Sequence, residues 1–316
     1  MKSLTKRFGA LATAGAMSLS LIVGTGLINV KDVFAADDKD YSDKYYYNRL
    51  SDDNLAKNFY KAFETLTDSG EFKKGTIEYD LIANKVATAD QIAAYVSGTS
   101  TELVTSYGAG RDAFYMDNPD LFYADVFSTS ISAGTAENGN YVGYLDSSRA
   151  LNTYVGDLNS QAKINTAITA YDNAVNAIVT EANKKESVVK KIEYVNDYIK
   201  TNNTYGYGTE LKGDQYVDTD RAAFVHTSYG ALVKHESVCE GYAKSFKAVL
   251  DRLDIPCVLI SGYVYNTKSS TYEPHMWNYV QVEGMWYGVD VTNNDWSDNK
   301  YLLCGGNDML GDYVIE

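Results

Sequence analysis

"HMWNYVQVEGMWYGVDVT", residues 275–292, alternates apolar and polar side chains on either side of Glu283-Gly284. Two alternating runs joined by a two-residue link with glycine predict an antiparallel hairpin. Pairing Val282 with Met285 sets the register, so that Trp277 faces Asp290 and His275 faces Thr292. Paired residues share a face of the sheet. His275 and Asp290 are therefore diagonal neighbours, about 7–8 Å apart between Cα atoms and closer between side chains. An imidazole N–H can reach a carboxylate over that span. Met276, Val280, Val282, Val289 and Val291 take the opposite face and can enter a core. A slip of one residue would part the pair, so the turn decides the reading.

Upstream, "ESVCEGYAKSF" (236–246) opens a helix. Ser237 followed three residues on by Glu240 has capping-box form. Ala243, Phe246, Leu250 and Leu253 make one apolar stripe, and Asp254, Ile255 and Pro256 end it. Cys239 is then the second helical residue, where unpaired N–H groups and the helix dipole favour an anion. The competing reading is a small thiol packing the helix start. The histidine and the aspartate shift the balance, because a sulfur nucleophile needs a base and the base an orienting acid. Cys239 would attack, His275 would accept and return the proton, and Asp290 would hold the ring. The backbone N–H of Cys239 is one expected oxyanion donor, with the phenol of Tyr229 in "SYGALV" as the second. Gly241, expected to leave space beside the sulfur, and Trp277 are the candidate substrate contacts.

His226 and His235 have no carboxylate partner readable from spacing. Close ligand pairs such as C-x-x-C or H-x-x-x-H are missing, and Asp290–Asp298 lacks the spacing of a calcium loop, so no metal or other cofactor is expected. Of the three cysteines, Cys257 and Cys304 could pair with each other, leaving Cys239 unpaired.

Strands "CVLISGYVY" (257–265) and "YLLC" (from Tyr301) join the hairpin, after helices from Val188 and over Thr219–Val233. Helices followed by antiparallel strands indicate an α+β fold. A boundary near Lys184-Lys185-Glu186 separates residues 186–316 from a mainly helical region, 36–185. There Leu55, Phe59, Ala62, Phe63 and Leu66 keep helical spacing. Thr88–Gln91 and Thr99–Glu102 have capping-box form. A strand is expected at 140–146, a surface loop at 128–140 and a long helix over 151–186.

Residues 1–35 run from Lys2, Lys6 and Arg7 through an apolar stretch to Val33-Phe34-Ala35, the order of a secretory leader cut between Ala35 and Ala36. The expected product is a secreted protein without stable membrane insertion after cleavage. The chain carries a net charge of −14; removing residues 1–35, with four cationic side chains and one anionic, leaves −17. So acidic a body repels phosphate backbones, and no nucleic-acid partner is expected. The sequence assigns no oligomeric state.

Cys239, Gly241, Tyr242, Ala243, the Ile255-Pro256-Cys257 segment, His275, Trp277, Asn278, Trp286, Tyr287 and Asp290 together resemble the catalytic core of the transglutaminase-like superfamily. The resemblance covers roughly residues 186–304. It implies a papain-like transglutaminase core, helices packed on an antiparallel sheet, with a Cys-His-Asp triad. It also implies a cysteine acyl-transfer enzyme acting on a protein or peptide substrate, cell-wall peptide among the candidates, through a thioester on Cys239. No tryptophan like the one that assists the oxyanion in animal crosslinking enzymes stands upstream, so peptidase or amidase action is favoured over crosslinking. The alternative is a non-catalytic cell-surface or matrix binding protein that keeps the core as a scaffold.

Overall fold

The computed structural model describes residues 44–50, 53–148, 158, 160–219, 221–267, 269–305, 309 and 312–315. The leader read at residues 1–35 lies outside them. Among the described residues, no helix is long and apolar enough to cross a membrane.

Helices α1 (Tyr45–Arg49), α2 (Asn54–Asp68), α3 (Ala89–Val96) and α4 (Glu102–Asp117) form most of the N-terminal region. The apolar stripe of α2 is buried from Leu55 to Leu66. Thr88 and Gln91 close a reciprocal capping box on α3. The box read at Thr99 is absent: α4 is capped at Thr101 without a side-chain bond. A three-stranded sheet adds β1 (Ile77–Asp80), β2 (Ser130–Thr135) and β3 (Tyr141–Ser147), with β3 central. The stretch 128–140 is thus not a loop throughout. Its small polar residues hid a strand that pairs with β3 from Ser130↔Asp146 to Thr135↔Tyr141.

Helices α5 (Gln161–Ala182) and α6 (Val188–Asn202) follow, each with a serine N-cap. Short strands β4 (Thr204–Tyr205), β5 (Thr209–Lys212) and β6 (Gln215–Asp218) follow. Where a helix is expected over Thr219–Val233, residues 221–226 form turns and the stretch becomes helical only at Ser228 and Tyr229, running into a π-helical turn, Gly230–Lys234. After β7 (Glu236–Ser237), α7 (Cys239–Asp251) packs on a four-stranded antiparallel sheet. That sheet has the order β10 (Met285–Val289), β9 (Thr271–Val282), β8 (Cys257–Asn266), β11 (Tyr313–Ile315). "YLLC" is not one of its strands: Cys304 makes only an isolated bridge with Gly288. The fold is α+β. The N-terminal helices share one apolar core with the α7–sheet layer. The Tyr46 hydroxyl donates to the Leu259 carbonyl, and the Phe122 and Tyr229 rings stack at 4.5 Å.

Candidate active site

The chain reaches Cys239 through a short parallel ladder, Thr204↔Glu236 and Tyr205↔Ser237. Ser237 is fully buried there, and its Oγ accepts from Asn203 Nδ2 at 2.7 Å. It does not cap the helix. Val238 is the N-cap residue, in extended conformation and without a side-chain bond. The capping box read at Ser237–Glu240 therefore does not form, and Cys239 is the first helical residue, not the second. An uncapped start leaves the first-turn N–H groups without a side-chain acceptor, which suits a developing anion. Cys239 itself is half-buried.

Gly241 does not open space for a ligand. A Cβ there would lie 2.5 Å from Ser237 Cβ, 2.7 Å from the Val225 carbonyl and 2.9 Å from that of Thr227. It is the place where the helix start seats against the preceding turns. Gly241→Ala should therefore cost about 2 kcal/mol or more by overpacking, read as a lower thermal midpoint.

The hairpin pairs Met285 with Val282 and Val289 with Asn278, the register that the two-residue turn predicts. Glu283 and Gly284 are both left-handed, at φ 52° and 78°. The second strand ends one residue before Asp290, earlier than the alternation suggests. Asp290 is instead the N-cap of a short helix, α8 (Val291–Ser297), and its Oδ1 accepts from the Asn293 N–H at 3.0 Å. Its Oδ2 lies 2.7 Å from His275 Nε2 and accepts from Tyr313 Oη at 2.6 Å and Asn293 Nδ2 at 2.8 Å. Burial of this carboxyl pushes its pKa upward, but His275, Tyr313 and the Asn293 N–H outweigh it and hold the group below the usual range.

The Cys239 sulfur is close enough to the His275 ring to act on its charge. With Nε2 turned to Asp290, Nδ1 is the nitrogen left for sulfur. Burial lowers the ring's pKa, yet the Asp290 carboxylate and the Cys239 sulfur raise it to about 10. An imidazolium is thus the stable form at neutral pH.

Trp277 is 1 % exposed and lies under the imidazole, ring centroids 6.1 Å apart and 18° from parallel. Its surface is spent on the ring and on Tyr313, at 5.1 Å, so it supports the histidine and presents no face to a substrate. Tyr229 is sandwiched between Phe122 and Phe224, a core tyrosine that joins the two regions. The phenol that feels the sulfur is Tyr205: burial pushes its pKa far up, and the Cys239 sulfur and Tyr207 push it further. Pairing of β4 with β7 sets it there, a non-local contact with no sequence signal. Tyr313 was equally invisible. Asn293 was legible in principle, since Asp at N-cap with N3 three residues on is a common helix start. None of Cys239, Cys257 and Cys304 forms a disulfide. His226, for which spacing shows no carboxylate partner, has Nδ1 2.8 Å from Glu240 Oε2.

No curated protein sequence matches the chain. A crystal structure of a TGase is similar at 15% identity and TM-score 0.33, over 52% of this chain and 43% of that one. A protein from Cytophaga hutchinsonii assigned as a cysteine protease is similar at 15% identity and TM-score 0.31, over 59% and 65%. The periplasmic domain of TgpA from Pseudomonas aeruginosa is similar at 12% identity and TM-score 0.29, over 56% and 69%. The first two are thus spanned over less than two thirds of their own lengths. Residues 173–291 match the family model of the transglutaminase-like superfamily, and over that span the chain carries a transglutaminase-like domain.

Proposed function

We propose that this chain is a secreted cysteine acyl-transfer enzyme acting on peptide or glutamine-type amide bonds. The observation that carries the reading is the buried His275–Asp290 pair, 2.7 Å apart, with the Cys239 sulfur near enough to act on the ring. The leader-like order of residues 1–35 supports export.

In this mechanism the Cys239 thiolate attacks the amide carbonyl. The oxyanion is met by the Cys239 backbone N–H and by the Tyr205 phenol, which replaces Tyr229 in that role. His275, already protonated, gives its proton to the leaving nitrogen, and the C–N bond breaks to leave a thioester. Water or an amine then attacks; the ring takes the nucleophile's proton, and the thiolate leaves with an acid or a new amide as product. Asp290 keeps Nε2 engaged, so that Nδ1 faces the sulfur throughout. Water is the favoured acceptor because the sulfur is half-buried and reachable by solvent.

Incubation of the mature protein with a peptide library, with and without a primary-amine probe, tests this by mass spectrometry. Hydrolysed peptides from wild type and none from Cys239→Ala are expected. Equal product from both would remove the enzyme, and amine-adducted peptides would reassign it as a transamidase.

The protonated ring also sets a pH dependence. Its folded-state pKa, about 10, lies above the unfolded value of about 6.5. The pairing contributes stability that is fully present below the unfolded value and is lost as pH rises through about 10. Amide turnover should fall over the same alkaline range, because the acid that protonates the leaving nitrogen disappears. Turnover unchanged between about pH 9 and 11 would contradict a protonated His275 in the rate-limiting step.

A further inference from the structure

Glu240 follows the nucleophile and is the one acidic residue in the first turn of α7. Its side chain is not folded back over the helix start. It runs into the interior, where Oε1 accepts from Lys244 Nζ at 2.9 Å and from the Tyr115 hydroxyl, and Oε2 meets His226 Nδ1 at 2.8 Å. Lys244 also donates to the Tyr115 oxygen and to the His226 carbonyl, the latter at 3.3 Å, with its Nζ 3.7 Å from the Tyr115 ring centroid. Tyr115 belongs to α4, so this cluster ties the N-terminal region to the turn that carries Cys239.

Two carboxylates near one thiolate would be a poor arrangement. Asp290 is offset by the His275 imidazolium. Glu240 is adjacent to Cys239 in the chain, and its buried carboxylate needs its own counter-charge. Lys244 is 4 % exposed and has no solvent to retreat to. Burying a cation and an anion this deeply is not a route to stability in itself, since apolar replacements of buried pairs are often neutral.

We propose that Tyr115, Lys244 and His226 are positioning residues that neutralise Glu240 and hold the first turn of α7, so that the N-terminal region keeps Cys239 nucleophilic. This rests on the enzyme reading above. The other groups facing the cluster are Asp112, itself paired with Arg111 at 2.8 Å, and Asp125, both acting on Tyr115. Those facing the sulfur are His275 and Tyr205.

The experiment is the rate of iodoacetamide alkylation at Cys239 against pH, read by site-resolved mass spectrometry on the full mature chain. Lys244→Met leaves Glu240 uncompensated, and its profile should move to higher pH by about one unit, with roughly tenfold slower labelling at neutral pH. The double variant Glu240→Gln with Lys244→Met removes the charge as well, and its profile should return towards wild type. Tyr115→Phe, which keeps the ring, should shift the profile in the same direction as Lys244→Met by a smaller amount, and remains informative if Lys244→Met does not fold. Unshifted profiles in the variants, or a shift that Glu240→Gln fails to reverse, overturn the proposal. Slow labelling of the wild type, indifferent to His275→Ala, would instead end the enzyme reading on which it stands.

Discussion

Asp290→Ala should destabilise the protein by about 3–5 kcal/mol and cut amide turnover by a factor on the order of 10³ or more. The stability loss has three sources at one site. The carboxylate is fully buried, and its removal leaves the His275 imidazolium without its counter-charge. The Tyr313 hydroxyl and the Asn293 amide lose their acceptor. Helix α8 loses its cap, which alone is worth about 1 kcal/mol. Turnover falls because Nε2 is no longer engaged and the ring is free to choose the wrong tautomer. Asp290→Asn separates the two effects. An amide oxygen can still cap α8, so stability should recover in part. Its NH₂ cannot accept from Nε2–H, so turnover should stay low. Thermal melts and peptide turnover measure both. An Asn variant with wild-type turnover would remove Asp290 from the mechanism.

His275→Ala should lower turnover by a factor on the order of 10⁵, the largest effect expected of any change outside the nucleophile. The ring is both the acid that releases the amine and the charge beside the sulfur. The second role has its own readout. Wild-type Cys239 should react with iodoacetamide at neutral pH much faster than a free thiol, whereas in the variant it should react no faster. The fold should survive with reduced stability, since Asp290 keeps Tyr313 and Asn293 as partners while the Trp277 face under the ring is uncovered. Fast labelling in His275→Ala would mean that another group activates the sulfur, and Tyr205 would be the first to test.

The parts of the site legible in the sequence were those governed by short-range periodicity. The Glu283-Gly284 link fixes a period-two register, and from it His275 and Asp290 fall on one face. The stripe from Ala243 to Leu250 announces a buried helix. What escaped was set by contacts far apart in the chain. Ser237 has the right residue type and spacing for a cap, but Asn203 claims its hydroxyl. Gly241 suggests open space, yet the backbone of Val225 and Thr227 fills it. Tyr229 lies near Cys239 in sequence and is pulled into the aromatic stack with Phe122, while Tyr205 arrives through two ladder pairs. Glu240 read as a cap because its three partners, Tyr115, His226 and Lys244, become neighbours only after folding. The strand at Ser130–Thr135 is mostly small residues whose partners, more than their propensity, make it a strand.

Asp290 follows a strand, caps a helix and grips a ring with one carboxylate. Fraying of that single helical turn is consequently a chemical event: each time the Asn293 amide opens to exchange with solvent deuterium, the imidazole loses part of its restraint. The protection of one backbone amide should thus report, from a distance, how often the sulfur stands ready.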